Sequence, residues 1–442
     1  MKASIIYTDR SRTETFQHCP RERWLRYHEG NVGLEPARKP LPLGVGGAIH
    51  KGLERLLLGD SEDMAVAAAL TNFADFRGAL AVDTAEAADR GVISASAATE
   101  ADEWLWQEQS ALVEGEVRAY ARIPALFGKG LKHLLEQFDV LEVEREGEWE
   151  LDANLVFMSR PDALLRSRAD NSLYLLSYKT ASQWDVRKAR DAEHDMQGLS
   201  EGVEVERRLG ERIMGIRYEY LLKGSRYQDR DLSARFGFNV WAQRSHLVRA
   251  YQGDAGWCWS YDFLKDDGSS SKLYYKAWRP RAVWEEMPIR NWIDMLDAST
   301  IAMSAYDPTV GMEPREVGWR SEAQAQGYTT THPLDDIFPA PLTVYRSDDQ
   351  LRDWIEQVEA QERRVAEAVA EVAAAVDEGE KRSRLNVLFP MTRHACEYPS
   401  TCSLSAVCWG GEDIRRDPLA SGLYRPRQPH HAVEADAVTG EK

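Results

Sequence analysis

A chain of 442 residues, 43% apolar and 29% charged, is long enough for two or three domains and too apolar to be collagenous, mucin-like or wholly disordered. Its 55 lysines and arginines against 72 aspartates and glutamates give a formal charge of -17. That excludes coating nucleic acid through overall positive charge and leaves room for a local basic groove. The start, MKASIIYTDRSR, lacks an apolar core of signal-peptide length, and no apolar run approaches the roughly 18 residues of a membrane span. A cytosolic protein without membrane contact is expected, and in a reducing compartment its five cysteines read as metal ligands sooner than as a disulfide framework.

The first segment predicts two short helices, one opened by Ser11 and Glu14 as a capping box and one restarting at Pro20 after Cys19. Arg21, Arg23 and Arg26 lie on the second, where a solvated face is the default. A glycine-rich entry, Gly44 to Gly47, leads into a helix over 48–58 whose Ile49, Leu53, Leu56 and Leu57 share a buried face beside His50. Residues 59–135 read as an alanine-rich helical insertion. From about 138 the texture turns to short β-rich runs at 138–146, 154–158, 161–166 and 173–179, an antiparallel meander.

One helix is expected within 185–209, and strands at 216–222, 236–241 and 257–263. A helix returns at about 285–304, and a polar stretch over 305–342 separates it from a long amphipathic helix at 349–379 with Leu351, Val358, Val365 and Val372 spaced by seven. The packing of that helix on its own domain is weighted above a dimerising coiled coil. The resulting division is N-terminal helices over 1–58, the insertion over 59–135, a core sheet and helix over 136–265, a helical extension over 266–385, a cysteine segment over 386–410 and a disordered tail over 411–442.

Within the meander, Arg160-Pro-Asp-Ala-Leu-Leu165 is followed by Leu173-Tyr-Leu-Leu-Ser-Tyr-Lys-Thr180. Residues two apart on a strand share a face, so Ser177 and Lys179 point to one side and can address a site beside Asp162 on the neighbouring strand. With His50 upstream and Gln197 downstream, this order of elements resembles the PD-(D/E)XK nuclease superfamily, specifically its RecB-like branch. The resemblance implies a mixed α/β core with an inserted helical subdomain, acting as a metal-dependent DNA nuclease, in the main an exonuclease, of recombination, repair or phage DNA processing. It implies His50 and Asp162 as ligands of Mg2+ or Mn2+, Lys179 as the catalytic lysine and Gln197 as the helix glutamine. DNA is the implied partner, and a recombination or helicase protein a further one of unspecified identity.

Two positions depart from the family pattern: Ser177 stands where an acid is usual, and Glu201 where a tyrosine often follows the glutamine. A serine hydroxyl is a weak ligand for a hard divalent cation. Some restriction enzymes of this fold supply the second acid from the following helix, which here would make it Glu193, four residues before Gln197 on one helix face, with Glu201 a weaker candidate; the alternative is that Glu193 is a solvated first-turn glutamate favoured by the helix N-terminus.

Cys396, Cys402 and Cys408 have five residues between each pair. The resemblance adds Cys19 as a fourth thiolate and implies a [4Fe-4S] cluster stapling the chain ends, with structural zinc, and His394 as a substitute ligand, as the alternative. Two other readings stand beside this one: a degenerate nuclease-fold protein that binds DNA or a partner without cutting, and a zinc-stabilised scaffold without enzymatic function.

Overall fold

The computed structural model describes residues 6–37, 41–74, 94–123, 128–152, 155–224, 338–397, 401–429 and 431, with the short stretches 76, 125, 226–229, 233–234, 240–243, 258–264, 270–276 and 329–331. The helix expected at 285–304 and most of the polar stretch after it lie outside the described residues. No helix among the described residues is long and apolar enough to cross a membrane.

The chain opens on a strand that composition did not announce, β1 (Ile6–Asp9), and then enters α1 (Arg10–His18). Asp9, rather than Ser11, caps this helix: its Oδ1 accepts the Arg12 N–H at 2.9 Å. Cys19 separates α1 from α2 (Pro20–Tyr27), where proline occupies the first turn as expected. After β2 (Leu34–Pro36), α3 (Leu41–Leu57) buries Val45, Ile49, Leu53, Leu56 and Leu57 against α4 (Glu62–Ala74) and α5 (Ala95–Arg122). The helical insertion is thus a packed lid on one face of the sheet, joined to it through α6 (Gly130–Gln137).

Five strands follow from 138 to 181: β3 (Phe138–Val143), β4 (Gly147–Asp152), β5 (Leu155–Ser159), β6 (Ala163–Ser167) and β7 (Leu173–Ala181). They divide between two sheets. β5 pairs antiparallel with β4 and parallel with β1, whereas β3, β6 and β7 form the antiparallel part of the main sheet. Two helices, α7 (Val186–His194) and α8 (Met196–Leu209), then cross over to β8 (Ile213–Leu222), which runs parallel to β7. The strand β9 (Leu342–Val344) completes a five-stranded mixed sheet in the order β9-β8-β7-β6-β3. Leu165, Leu176 and Tyr178 face the helical insertion, while Leu164, Leu175 and Tyr218 face the crossover side, so the main sheet is buried on both faces.

The single helix expected over 185–209 is two. Asp195 leaves helical geometry at φ -67° and ψ 117°, donates its N–H to Ala192 O and caps α8 through Gln197 N–H at 2.9 Å. An aspartate at an N-cap outcompetes continuation of the preceding helix, because its carboxylate satisfies orphan amides of the new one.

The amphipathic helix α9 (Asp348–Ala373) packs on its own chain. Trp354 and Val358 sit against Trp149 and Phe157, and Val365 and Val372 against Trp24 and Phe389. Between those apolar patches Glu362 is wholly buried and takes hydrogen bonds from Thr8 Oγ1 (2.7 Å), Thr13 Oγ1 (3.0 Å) and Arg23 Nη2 (2.8 Å). Arg23, expected on a solvated face, is instead a buried cation.

Beyond α10 (Glu378–Leu388), the cysteine segment folds through α11 (Ser405–Trp409) and α12 (Glu412–Arg416). The tail expected to be disordered is ordered through 429: β10 (Tyr424–Pro426) pairs antiparallel with β2, and Tyr424 is buried in the cluster of Trp24 and Phe389. A buried aromatic anchor supplies the burial that local composition did not suggest.

Candidate active site

The residues that could do chemistry gather where β6, β7 and α8 approach α3. β6 begins just after Asp162, whose Oδ2 accepts the Tyr178 N–H at 2.6 Å and whose Oδ1 lies 3.4 Å from His50 Nδ1 on α3. Burial pushes the Asp162 carboxyl upward, but His50, the Tyr178 N–H and Lys179 outweigh it and hold the pKa below the ordinary aspartate value. Asp162 is therefore an anion in a desolvated place, as a hard-cation ligand must be.

Lys179 extends from the next strand and donates to Gln197 Oε1 and to Asp195 Oδ2, the latter at 2.9 Å. Gln197 in turn donates from Nε2 to Glu201 Oε1 at 2.8 Å. Since Gln197 and Glu201 are one helical turn apart, α8 alone sets that contact. Glu201 is 3% exposed, and its Oε2 has no hydrogen-bond partner. Burial first, with Asp162 adding repulsion, pushes its pKa up to about 8.

The structure brings His50, Asp162, Lys179 and Gln197 together, and separates Glu193 from them. Glu193 is exposed on α7, so the shared helix face that would have turned it toward the sheet does not exist. The break at Asp195 is the reason. Glu201, one turn beyond Gln197 on α8, is the buried acid that meets Gln197. Ser177 is paired in register with Tyr218, and both hydroxyls are buried without hydrogen-bond partners.

Three site residues escaped the sequence reading. Glu144 turns out of β3 at φ 48°, donates its N–H to Asp162 O at 3.1 Å and pairs with Arg160 at 3.0 Å. Burial and the Asp162 charge push its pKa up to about 7. Nothing local marks this residue, because its place depends on the β3-β6 pairing. Tyr218 places its ring beneath Lys179, with the ammonium 5.7 Å from the centroid. Asp195 did carry a signal, an N-cap aspartate inside an apparently continuous helix.

The side chains fit a divalent cation in kind. Two carboxylates, Asp162 and Glu201, are electrostatic neighbours, and the unsatisfied Glu201 Oε2 and Ser177 Oγ are the sort of buried oxygens that an ion and its water would satisfy. Among the described residues, however, no three His, Cys, Asp or Glu side chains are drawn together into a ligand set.

All four predicted cysteines are free thiols. Burial, with Cys19, Cys402 and Cys396 as neighbours, pushes Cys408 up to about 11. The Cys19 Sγ accepts the Thr392 N–H at 3.5 Å and the Cys396 Sγ accepts Trp409 Nε1–H at 3.4 Å. The four therefore share one neighbourhood although 377 positions separate the first thiol from the second.

No curated protein matches the chain. Residues 10–199 match the family model of the PD-(D/E)XK nuclease superfamily, a span that runs from the first residue of α1 through Gln197 and contains Asp162 and Lys179 on their strands. Over these residues, the segment 10–199 is similar to the PD-(D/E)XK nuclease superfamily.

Proposed function

We propose that the protein hydrolyses DNA phosphodiesters with Mg2+ or Mn2+, using Asp162 and Glu201 as carboxylate ligands, His50 beside them and Lys179 as the catalytic cation. The observation that carries this reading is the convergence of the His50–Asp162 pair with the Lys179–Gln197–Glu201 chain from four separate elements, α3, the start of β6, β7 and α8. A divalent cation, when bound, supplies charge neutralisation at the scissile phosphate and a more acidic water. The protein supplies the rest. Lys179 presents a fixed positive charge to the phosphate oxygens as negative charge builds on them, and Gln197 orients both Lys179 and Glu201. The order of the motifs supports a RecB-like exonuclease acting in recombination, repair or phage DNA processing, with a helicase or recombination protein as its partner. Degradation of linear but not covalently closed circular DNA is the outcome expected of an exonuclease.

Glu201→Gln is expected to lower Mg2+-dependent cleavage by on the order of 10²-fold or more, since a metal ligand supports several kcal/mol of transition-state stabilisation. In a thermal melt, Mg2+ at about 100 times its Kd should stabilise the wild type by about 2.7 kcal/mol and leave Glu201→Gln nearly unmoved. Glu193→Gln should behave as wild type. Full activity in Glu201→Gln would remove the helix acid from the site.

The four-thiol neighbourhood supports a [4Fe-4S] cluster on Cys19, Cys396, Cys402 and Cys408. The donor set suits it in kind: four thiols in one neighbourhood can be held as thiolates when a metal binds. Cys19→Ser is expected to lose iron and visible absorbance from anaerobically purified protein, and to lower the melting temperature by detaching α2 from the cysteine segment. Full zinc with no iron would favour the structural-zinc alternative, and full iron content in Cys19→Ser would exclude Cys19 as a ligand.

A further inference from the structure

Asp195 sits at the hinge between two helices, 12% exposed in its side chain, and each of its carboxylate oxygens has its own task. Oδ1 accepts the Gln197 N–H at 2.9 Å and lies 3.7 Å from Arg10 Nη1; Oδ2 meets Lys179 Nζ at 2.9 Å. One carboxylate thus fixes the start of α8, the side chain of the catalytic lysine and the first residue of α1. An ammonium has three donors. Gln197 Oε1 and Asp195 Oδ2 take two, so the Lys179 head is held in one orientation with a single N–H remaining for the reaction, and the Tyr218 ring supports it from below. Lys179 and Asp162 influence each other's charge, so the held ammonium stands within electrostatic reach of the proposed metal position. A lysine on a flexible four-carbon stem would otherwise spend much of its time in other rotamers.

We propose that Asp195 is a positioning residue for the nuclease reaction: it orients Lys179 toward the scissile phosphate by binding one of its N–H groups while capping α8. The proposal rests on the nuclease reading of this site. It differs from a structural role in what Asp195→Asn should do. Asparagine caps helices about as well as aspartate, so the fold and the α8 start persist, and what is removed is the negative charge facing Lys179 and, at 3.7 Å, Arg10.

The expected result for Asp195→Asn is a cooperatively folded protein with a melting temperature close to that of Lys179→Met, a kcat lower by on the order of 10 to 10²-fold, as for a misplaced catalytic group, and a KM for DNA that does not rise, because a negative charge near the phosphate path has gone. Reductive methylation read by mass spectrometry gives a second measure that does not depend on cleavage. Lys179 should be modified several-fold faster in Asp195→Asn, with exposed Lys132 unchanged as the internal control. Should Asp195→Asn fail to fold, Asp195→Ser retains a capping hydroxyl without the charge, and the same measurements apply. Wild-type kcat in the folded variant, or an unchanged methylation rate at Lys179, overturns the proposal. A wild-type protein that cuts no DNA overturns the nuclease reading instead, and the methylation result then still reports whether Asp195 holds Lys179.

Discussion

Lys179→Met is expected to leave a folded protein whose DNA cleavage is reduced by on the order of 10² to 10³-fold, the usual cost of removing a preorganised positive group from a transition state that gains negative charge. Methionine keeps the unbranched stem and the contact with the Tyr218 ring. Asp195 retains Arg10 and the Gln197 N–H, so the loss of stability should stay near 1–2 kcal/mol, that of a charge-assisted hydrogen bond in a partly wet site. The measurement is steady-state cleavage of linear duplex DNA in Mg2+ and Mn2+ beside a urea melt. Cleavage at the wild-type rate by the folded variant would dissociate Lys179 from the chemistry.

The largest stability effect is expected at Glu362. Glu362→Gln removes the counter-charge of Arg23, a guanidinium with no exposed surface, and turns an amide donor toward donors already present: Thr8, Thr13 and Arg23 all hydrogen-bond this carboxylate. Breaking a buried pair by removing one partner costs about 3–5 kcal/mol, because the remaining charge is left desolvated and unpaired. Replacing both partners with apolar residues, as in Arg23→Met with Glu362→Met, should cost much less than the sum of the single changes. Equilibrium urea unfolding of the four proteins gives the coupling energy directly. A coupling near zero would show that the pair contributes nothing beyond its separate side chains.

The legible part of the site is the local part. Asp162, Ser177 and Lys179 fall within one β-meander, where period-two alternation assigns faces without any knowledge of distant contacts. His50 was legible because the apolar stripe of its helix fixes which side it faces. The choice between Glu193 and Glu201 depended on whether one helix or two spans 185–209, and the capping strength of Asp195 decides that. β4 was legible and passed over: in Glu148-Trp-Glu-Leu151 the buried Trp149 and Leu151 alternate with glutamates. The pairing of β1 with β5, the Glu144 carboxyl beside Asp162 and the Arg23–Glu362 pair were not legible, since each joins segments whose own composition is indifferent to the contact. Arg23 and Glu362 stand 339 positions apart, and only the assembled core makes a buried arginine tolerable.

The clasp formed by α9 and β10 on the N-terminal segment also sets an order of events during synthesis. Thr8, Thr13 and Arg23 emerge from the ribosome early, but the carboxylate that satisfies them comes well after Glu201, the last residue of the candidate site. At about 5–20 residues per second, a nascent chain carries all of those residues for on the order of 10 s before Glu362 is made. Throughout that interval α1, which brings Arg10 to Asp195, lacks the anchor that holds it against the sheet. The supporting shell of the candidate site is therefore completed only late in translation.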